Sequence, residues 1–387
     1  MKLENSQPAT LNSTLRVIIS GGGTGGHIFP AVAIADAIKA KVTDTEFLFV
    51  GANGRMEMEK VPAAGYNIVG LDIAGLQRKF TFSNFLLPFK VIGSLLKSRK
   101  IIKDFKPHVA IGVGGYASGP LLKMAQWQGI PTLIQEQNGF AGKTNIVLGK
   151  KAHKICVAYE GMERFFPKSK IVLTGNPVRK SIKETILPKL AGSLHYKMAE
   201  DRTTVLVIGG SLGARTINES VAAGIEKLKK ANIQLIWQTG KSYYMQAREL
   251  TLQQGNGWGE PKTFDFISSM DLAYAAADIV ISRAGALSVS ELCCLGKAAI
   301  LVPSPNVAED HQTQNAMALV NKGAAILVKD LEAKETLIDT VIALAQDQQK
   351  LETLRRNIKQ LAKPHADVEI ADIAVALARK ANSNKNQ

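Results

Sequence analysis

The chain has 387 residues, more than most single hydrophobic cores accommodate, and this length favours about two domains. Its net charge of +15 and pI near 9.6 favour an anionic partner, which charge alone leaves open as nucleic acid, anionic lipid or a phosphorylated substrate. No apolar run reaches the roughly 18 residues of a membrane span, and the N-terminus lacks the apolar region of a signal peptide. We therefore expect a protein that is neither secreted nor membrane-spanning.

The first half of the chain reads as alternating strands and helices. Residues 1–14 are polar and are expected to form a flexible tail. Short apolar runs separated by helical patterns follow, which is typical of βαβ units with a parallel sheet. Strands are predicted at residues 16–20, 46–50, 109–112, 132–134, 154–157 and 171–174.

The first predicted strand leads directly into the sequence GGGTGGH. Gly21, Gly23 and Gly26 satisfy G-x-G-x-x-G, a loop that lets main-chain N–H groups approach a phosphate, although many α/β domains use it for packing alone. The second predicted strand ends in Val50 instead of an acid, which disfavours NAD. His27 lies at the start of the next helix, where it would serve as a base or as a phosphate ligand.

The segment at residues 80–106 combines apolar and cationic side chains. Its only acid is Asp104. This composition suits an interfacial membrane contact, because acyl burial and attraction to anionic headgroups add. It equally suits an ordinary helix with a buried stripe and a solvated basic face. The apolar members are Phe80, Phe82, Phe85, Leu86, Leu87, Phe89 and Ile92, and the cations are Lys90, Lys97, Arg99, Lys100, Lys103 and Lys106.

Asn176-Pro177 is a breaker dipeptide that suits a hinge. After it, the alternation of short apolar runs and helical patterns starts again. Strands are predicted at residues 205–208, 234–238, 263–266, 279–281, 299–302 and 325–328. The loop GGSLGA of this half corresponds to GGGTGG of the first. The pattern predicts two doubly wound α/β domains facing each other across a cleft.

Other polar clusters follow predicted strands. Residues 112–120 form a second glycine loop, and residues 135–145 are rich in amides, although Asn138 before Gly139 is equally a turn former. Ser211 would stand at a helix N-terminus, where amides and the helix dipole hold a diphosphate. Arg179 would add a cation for the same charge, although a lone Arg is usually a surface residue.

Two clusters late in the chain suit a nucleotide sugar. In SRAGALSVSE, Glu291 can accept both hydroxyls of a ribose, although the helix dipole favours an acid in the first helical turns without any ligand. In NVAEDHQTQN, His311 lies among acids, but the absence of D-x-D and of a nearby second histidine disfavours a metal. The cysteines Cys156, Cys293 and Cys294 lack metal-ligand spacing and are expected to be unpaired core residues in a reducing compartment.

Known catalytic motifs of several classes are missing from the sequence. It contains no G-x-x-x-x-G-K-[ST] and no regular Cys/His spacing. P-loop NTPases and zinc modules are therefore disfavoured.

Seven ordered motifs resemble the MurG family of N-acetylglucosaminyltransferases: GGGTGGHIFPA, GGYASGP, QEQNGFAGKTN, GNPVR, GGSLGAR, RAGALSVSE and DHQTQNA. The resemblance covers residues 16 to about 380. It implies a GT-B fold with an acceptor and membrane-association domain at residues 15–177 and a donor domain at residues 178–366. It also implies that a final helix at residues 367–380 packs back on the first domain.

The resemblance also implies which residues contact the donor, UDP-N-acetylglucosamine. Arg179 and Ser211 serve the diphosphate, the main chain of Ile267 serves uracil, and Gln312 serves the sugar hydroxyls. The turn from Ala286 to Glu291 serves the sugar and ribose. His27 matches a family histidine that is a base or a ligand of the acceptor phosphate. The remaining implied contacts are Thr24, Gly25, Gly26, Asn138, Leu287, Ser288, Val289 and Ser290.

The implied reaction is an inverting, metal-independent transfer that needs no cofactor. The acceptor is N-acetylmuramoyl-pentapeptide on undecaprenyl diphosphate, used in peptidoglycan synthesis at the cytoplasmic face of the inner membrane. Because this acceptor is an anionic lipid, it accounts for the net positive charge without binding to nucleic acid. It also favours membrane contact through residues 80–106. Two alternatives remain: a UDP-N-acetylglucosamine 2-epimerase on the same architecture, or an inactive peripheral membrane scaffold.

Overall fold

The computed structural model describes residues 14–73, 87–183, 187–253 and 261–385. The expected tail at residues 1–14 lies outside the described residues except for its last position. The phenylalanine-rich start of the segment at residues 80–106 also lies outside them.

The described chain forms two compact units. Unit 1 contains the residues up to Gln137, residues 141–177 and the residues from His365 onward, and unit 2 contains Asn138–Phe140 and Val178–Pro364. The sequence assigned Asn138–Phe140 to the first domain. They group with unit 2 because the buried side chain of Asn315 accepts a hydrogen bond from the Gly139 amide (2.8 Å) and donates one to Asn138 Oδ1 (3.2 Å).

Unit 1 is built on a parallel sheet of seven strands in the order β3-β2-β1-β4-β5-β6-β7. The strands are β1 (Leu15–Ser20), β2 (Thr45–Ala52), β3 (Ile68–Leu71), β4 (Val109–Gly112), β5 (Thr132–Glu136), β6 (Lys154–Val157) and β7 (Ile171–Leu173). The helices are α1 (Gly25–Lys41), α2 (Glu57–Ala63), α3 (Leu87–Phe105), α4 (Ser118–Trp127) and α5 (Lys143–Gly149), with 3-10 turns at Met162–Arg164 and Lys168–Lys170.

Successive residues of β1 point to opposite faces of this sheet and enter different hydrophobic clusters. Val17 and Ile19 lie in one cluster with α1, and Ile18 lies in the other with α4. The last helix of the chain (Ala366–Lys385) contributes Ile370 and Ala374 to the α1 cluster. It begins one residue before the predicted helix and ends five residues after it.

Unit 2 is built on a parallel sheet of six strands in the order β10-β9-β8-β11-β12-β13. The strands are β8 (Thr204–Ile208), β9 (Gln234–Gln238), β10 (Lys262–Phe264), β11 (Ile279–Ser282), β12 (Ala298–Leu301) and β13 (Ile326–Leu327). The helices are α6 (Lys180–Lys183), α7 (Lys189–Tyr196), α8 (Arg215–Lys230), α9 (Tyr244–Gln253), α10 (Met270–Ala276), α11 (Ala286–Leu295), α12 (His311–Val320), α13 (Ala333–Gln346) and α14 (Gln348–Gln360). The final helix of unit 1 is then α15 (Ala366–Lys385).

The three cysteines are buried and unpaired, as the sequence predicts. Burial raises the pKa of the Cys156 thiol to about 12 and that of Cys293 to about 12, which keeps both groups neutral near pH 7. They act as small apolar residues of the core.

Candidate functional site

Strand order reverses once in each sheet, between β1 and β4 in unit 1 and between β8 and β11 in unit 2. In open parallel sheets, ligands bind in the crevice beyond the carboxyl ends of the strands at such a reversal. The glycine loops predicted from sequence follow these four strands. Each unit therefore brings two candidate binding loops side by side.

In unit 1 the first glycine loop ends in the first turn of α1. Thr24 is the N-cap with extended backbone, and Gly25 and Gly26 are the first two helical residues. His27 Nδ1 lies 2.9 Å from the Gly22 carbonyl oxygen and 3.4 Å from Thr24 Oγ1. Because a carbonyl oxygen only accepts, Nδ1 carries the hydrogen, and the lone pair of the neutral ring lies on Nε2.

The second glycine loop of unit 1 packs against this histidine. Gly114 has φ +98°, and a Cβ at this position would lie 2.8 Å from His27 Nε2. A Cβ on Gly115 would lie 2.5 Å from the carbonyl oxygen of Gly22. The glycines of residues 112–120 thus make room for the first loop and for the imidazole.

A buried acid that the sequence reasoning missed lies beneath the first loop. Glu57, the first residue of α2, accepts hydrogen bonds from the Gly23 amide (2.8 Å) and the Ala52 amide (3.0 Å). Its side chain lies against Gly22, where a Cβ would approach Glu57 Oε1 to 2.1 Å. The only sequence signal was an acid shortly after the second strand, at a position that matches no motif.

In unit 2 the loop at residues 209–214 connects β8 to α8. Ser211 is exposed in this loop, and α8 starts at Arg215 with Ala214 as its N-cap. The sequence places Ser211 at the helix N-terminus. The structure places it three residues before the N-cap, because Gly210 and Gly213 take left-handed conformations that extend the turn.

Arg179 and Glu291 form a bidentate ion pair. Arg179 Nε donates to Glu291 Oε1 (2.7 Å) and Nη2 donates to Oε2 (3.0 Å), and the Glu291 side chain is only 6% exposed. Tyr274 also donates to Oε2 (3.2 Å), and burial raises the pKa of this phenol well above its ordinary value, so it remains a donor. The sequence assigned Arg179 and Glu291 to different parts of a nucleotide, whereas the structure joins them.

Glu291 belongs to the second turn of α11, which begins at Ala286 after its N-cap Gly285. Val289 and Ala286 are buried, while Leu287 and Ser288 are partly accessible. The Ser290 hydroxyl donates to the Ala286 carbonyl (2.9 Å), as serines inside helices often do.

Gln238, at the end of β9, links two candidate binding segments. Its Oε1 accepts a hydrogen bond from the Ile267 amide (3.0 Å), and its Nε2 donates to the Gly210 carbonyl (3.1 Å). Because the Ile267 N–H already donates to Gln238, a main-chain contact from Ile267 to a nucleobase would use its carbonyl oxygen. Sequence reasoning missed Gln238 because it reads as an ordinary last residue of a strand.

The remaining polar candidates of unit 2 lie around β11 and α12. Asn315 bonds to Asn138 and also donates to the Ala284 carbonyl (3.1 Å), directly before α11. Gln312 lies in the first turn of α12, and its Oε1 accepts from the Ser304 amide (2.9 Å), so the donor end of its amide is directed elsewhere. Within the described ranges, no three His, Cys, Asp or Glu side chains group as a metal site requires.

The sequence profile of the glycosyltransferase family 28 N-terminal domain matches residues 17–157, and that of the C-terminal domain matches residues 204–370. The chain is 57% identical over 352 residues to a protein of Phocaeicola vulgatus. That alignment covers 91% of this chain and 93% of the relative. The relative is named UDP-N-acetylglucosamine--N-acetylmuramyl-(pentapeptide) pyrophosphoryl-undecaprenol N-acetylglucosamine transferase.

Solved structures share the architecture. The crystal structure of Acinetobacter baumannii MurG superposes with a TM-score of 0.77 at 28% identity, covering 94% of this chain and 99% of that one. A structure from Listeria monocytogenes assigned as a UDP-N-acetylglucosamine 2-epimerase superposes with a TM-score of 0.67, covering 96% and 98% of the two chains. Its 13% identity shows a common fold alone.

Two doubly wound parallel sheets on family 28 domains are the GT-B fold, which confirms the predicted fold class. Near-complete coverage at more than half identity is much more specific than any glycine loop. The chain belongs to the MurG family and is a glycosyltransferase.

Proposed function

We propose that this protein transfers N-acetylglucosamine from UDP-N-acetylglucosamine to the 4-hydroxyl of N-acetylmuramoyl-pentapeptide carried on undecaprenyl diphosphate. The observation that carries the proposal is the match over 91% of the chain to a relative named for this transfer. Unit 1 would bind the acceptor and unit 2 the donor. In the reaction, a bond forms between the acceptor oxygen and the anomeric carbon, the bond from that carbon to the diphosphate breaks, and UDP leaves with the electron pair.

His27 is proposed as the base that takes the proton from the acceptor hydroxyl. The hydrogen bond between Nδ1 and the Gly22 carbonyl supports this role, because it leaves the Nε2 lone pair as the proton acceptor. A phosphate ligand would instead need an N–H donor at Nε2, which the ring has only when it is protonated.

UDP is proposed to bind at the β8/β11 reversal of unit 2. The main-chain amides of residues 209–214, the dipole of α8, Ser211 and Arg179 would stabilise the negative diphosphate without a metal ion. The Ile267 carbonyl would accept from the uracil N–H. Glu291 would bind ribose hydroxyls, with Asn138, Gln312 and the first turn of α11 (Ala286, Leu287, Ser288, Val289 and Ser290) next to the sugar.

Product analysis tests the proposed transfer. Purified protein is incubated with radiolabelled UDP-N-acetylglucosamine, with and without the undecaprenyl-linked acceptor. We expect label in the lipid product only when the acceptor is present, and no turnover of the nucleotide sugar without it. An epimerase would turn over the nucleotide sugar without an acceptor. A protein that moves no label under either condition would refute the transferase assignment.

We also propose that α3 contacts an anionic membrane surface, which would make the protein a peripheral component of the cytoplasmic face of the inner membrane. The helix buries Ser94, Ser98 and Ile102 against α4, yet it exposes Ile92 and Leu96, which are one helical turn apart. Its exposed cations are Lys90, Lys97, Arg99, Lys100 and Lys103. Among the described residues, no helix is long and apolar enough to cross a bilayer.

Replacing Ile92 and Leu96 together with serine is expected to weaken membrane binding by roughly 100-fold. Each side chain would lose on the order of 1.5 kcal/mol of apolar burial. The measurement is cosedimentation with vesicles of phosphatidylglycerol and phosphatidylethanolamine.

The chain offers a matched control for this substitution. Leu190 and Leu194 are also exposed and four residues apart, on α7 of unit 2, and their replacement with serine should leave vesicle binding unchanged. Equal binding by the Ile92/Leu96 variant and the unmodified protein would contradict the proposed membrane contact.

A further inference from the structure

The peptide group between Gly22 and Gly23 is hydrogen-bonded at both ends to ionisable side chains. Its carbonyl oxygen accepts from His27 Nδ1 (2.9 Å), and its N–H donates to Glu57 Oε2 (2.8 Å). A carboxylate, one planar peptide and an imidazole therefore form a continuous chain of hydrogen bonds. We propose that Glu57 is a positioning residue that acts on His27 through this single peptide, an inference that rests on the proposed role of His27 as the base.

Burial and two hydrogen bonds to main-chain N–H groups fix the orientation of the Glu57 carboxylate. The side chain is 1% exposed, and its second oxygen accepts from the Ala52 amide at the end of β2 (3.0 Å). Two glycines make room for it: a Cβ at Gly22 would lie 2.1 Å from Oε1, and one at Gly51 would lie 2.6 Å from Cγ. Glu57 thus ties the end of β2 to the loop that carries the histidine.

The other end of the chain is held by the second glycine loop. A Cβ at Gly115 would lie 2.5 Å from the Gly22 carbonyl oxygen, and one at Gly114 would lie 2.8 Å from His27 Nε2. The peptide and the imidazole ring therefore pack closely against the main chain of this loop. The loop has little freedom to present a different group to Nδ1.

This arrangement has two chemical consequences for a base. The buried carboxylate polarises the peptide, and hydrogen bonds in a chain strengthen one another, so the Gly22 carbonyl becomes a better acceptor for Nδ1–H. That bond fixes the tautomer with the lone pair on Nε2. When Nε2 takes a proton, the same chain stabilises the imidazolium, as a carboxylate does directly in a Ser-His-Asp triad. Here a peptide transmits the effect of the carboxylate.

The kinetic test replaces Glu57 with glutamine in the full-length protein. Gln has the same size but no charge, and its NH2 group would face one of two main-chain N–H donors. We expect Glu57→Gln to lower kcat by roughly 10- to 100-fold, the scale for groups that orient a catalytic or ligating histidine, with KM for UDP-N-acetylglucosamine within about twofold. Glu59→Gln is the matched control, since Glu59 lies on the same helix with an exposed side chain.

A double variant separates positioning from a structural role. If Glu57 acts through His27, Glu57→Gln in a His27→Ala background should cause no further loss of kcat. A further loss as large as in the wild-type background, or a loss that appears in KM instead of kcat, would overturn the proposal.

Nitrogen-15 NMR of histidine-labelled wild-type protein tests the relay without turnover and without any variant of Glu57. The His27→Ala spectrum identifies the His27 signals among the six histidines. We expect neutral His27 as the Nδ1–H tautomer, and its Nε2–H tautomer would overturn the relay even if Glu57→Gln fails to fold. Absence of transfer by the wild-type protein would refute the proposed function, whereas normal transfer with an unaffected Glu57→Gln variant would refute the relay alone.

Discussion

Replacing His27 with alanine is expected to reduce kcat for N-acetylglucosamine transfer by roughly 10²- to 10⁴-fold, the usual contribution of a positioned general base. UDP affinity should fall much less than kcat, because the proposed contacts to the diphosphate, uracil and ribose lie in unit 2. The hydrogen bond from Nδ1 to the Gly22 carbonyl directs the basic lone pair to Nε2, so the loss should fall on the chemical step. Transfer of radiolabel gives kcat, and calorimetric titration with UDP gives the affinity.

Two controls define the interpretation of this variant. His195→Ala removes an exposed histidine of α7, outside the proposed machinery, and should leave kcat unchanged. Added imidazole should restore part of the activity of His27→Ala if the missing group is a base. A loss of kcat matched by an equal loss of UDP affinity would contradict the base assignment and indicate that His27 only holds the substrate in place.

The glycine loops that follow the strands where strand order reverses were predictable from local sequence. A strand buried on both faces reads as an uninterrupted apolar run, and glycines directly after it mark a close approach of main chain. For this reason the predicted strands at residues 16–20 and 205–208 match β1 and β8 to within one residue. Parallel pairing then follows from the helical segments between strands.

Strand β3 was missed because its local signal is weak. It has only four residues, and Gly70 interrupts the apolar run. A glycine inside a strand usually lowers its propensity, but a Cβ here would lie 1.6 Å from Asn53 Oδ1. The requirement for glycine comes from a neighbour 17 positions earlier in the chain, and no local window contains that information.

Ion pairs and hydrogen bonds between residues far apart in the chain could also not be predicted from local sequence. Arg179 and Glu291 are 112 positions apart, and each carries a plausible ligand role by itself. Glu57 matches no motif, and its importance appears only when the fold brings it beneath the Gly22–Gly23 peptide. Motifs predicted the loops that follow the strands where strand order reverses, but the hydrogen bonds that hold those loops depend on tertiary structure.

The Arg179–Glu291 pair leads to the second prediction. Replacing Glu291 with alanine is expected to lower the free energy of unfolding by about 3 kcal/mol, because Arg179 and the buried Tyr274 hydroxyl lose their common acceptor. The estimate is at the lower end for a broken buried pair, since the Arg179 side chain is 40% exposed and water can replace part of the interaction. Urea-induced unfolding measures this loss. The affinity for UDP should fall by roughly 1 to 3 kcal/mol if Glu291 also binds ribose.

Tyr274→Phe separates the two roles of Glu291. It removes one donor to the same carboxylate, so it should lower the free energy of unfolding by about 1 kcal/mol while UDP affinity stays unchanged. Titration with 2′-deoxy-UDP provides the ligand-side control, because Glu291→Ala should weaken its binding much less than that of UDP. A Glu291→Ala variant that binds UDP as tightly as the unmodified protein would remove Glu291 from the nucleotide site. The pair with Arg179 would then serve only the stability of unit 2.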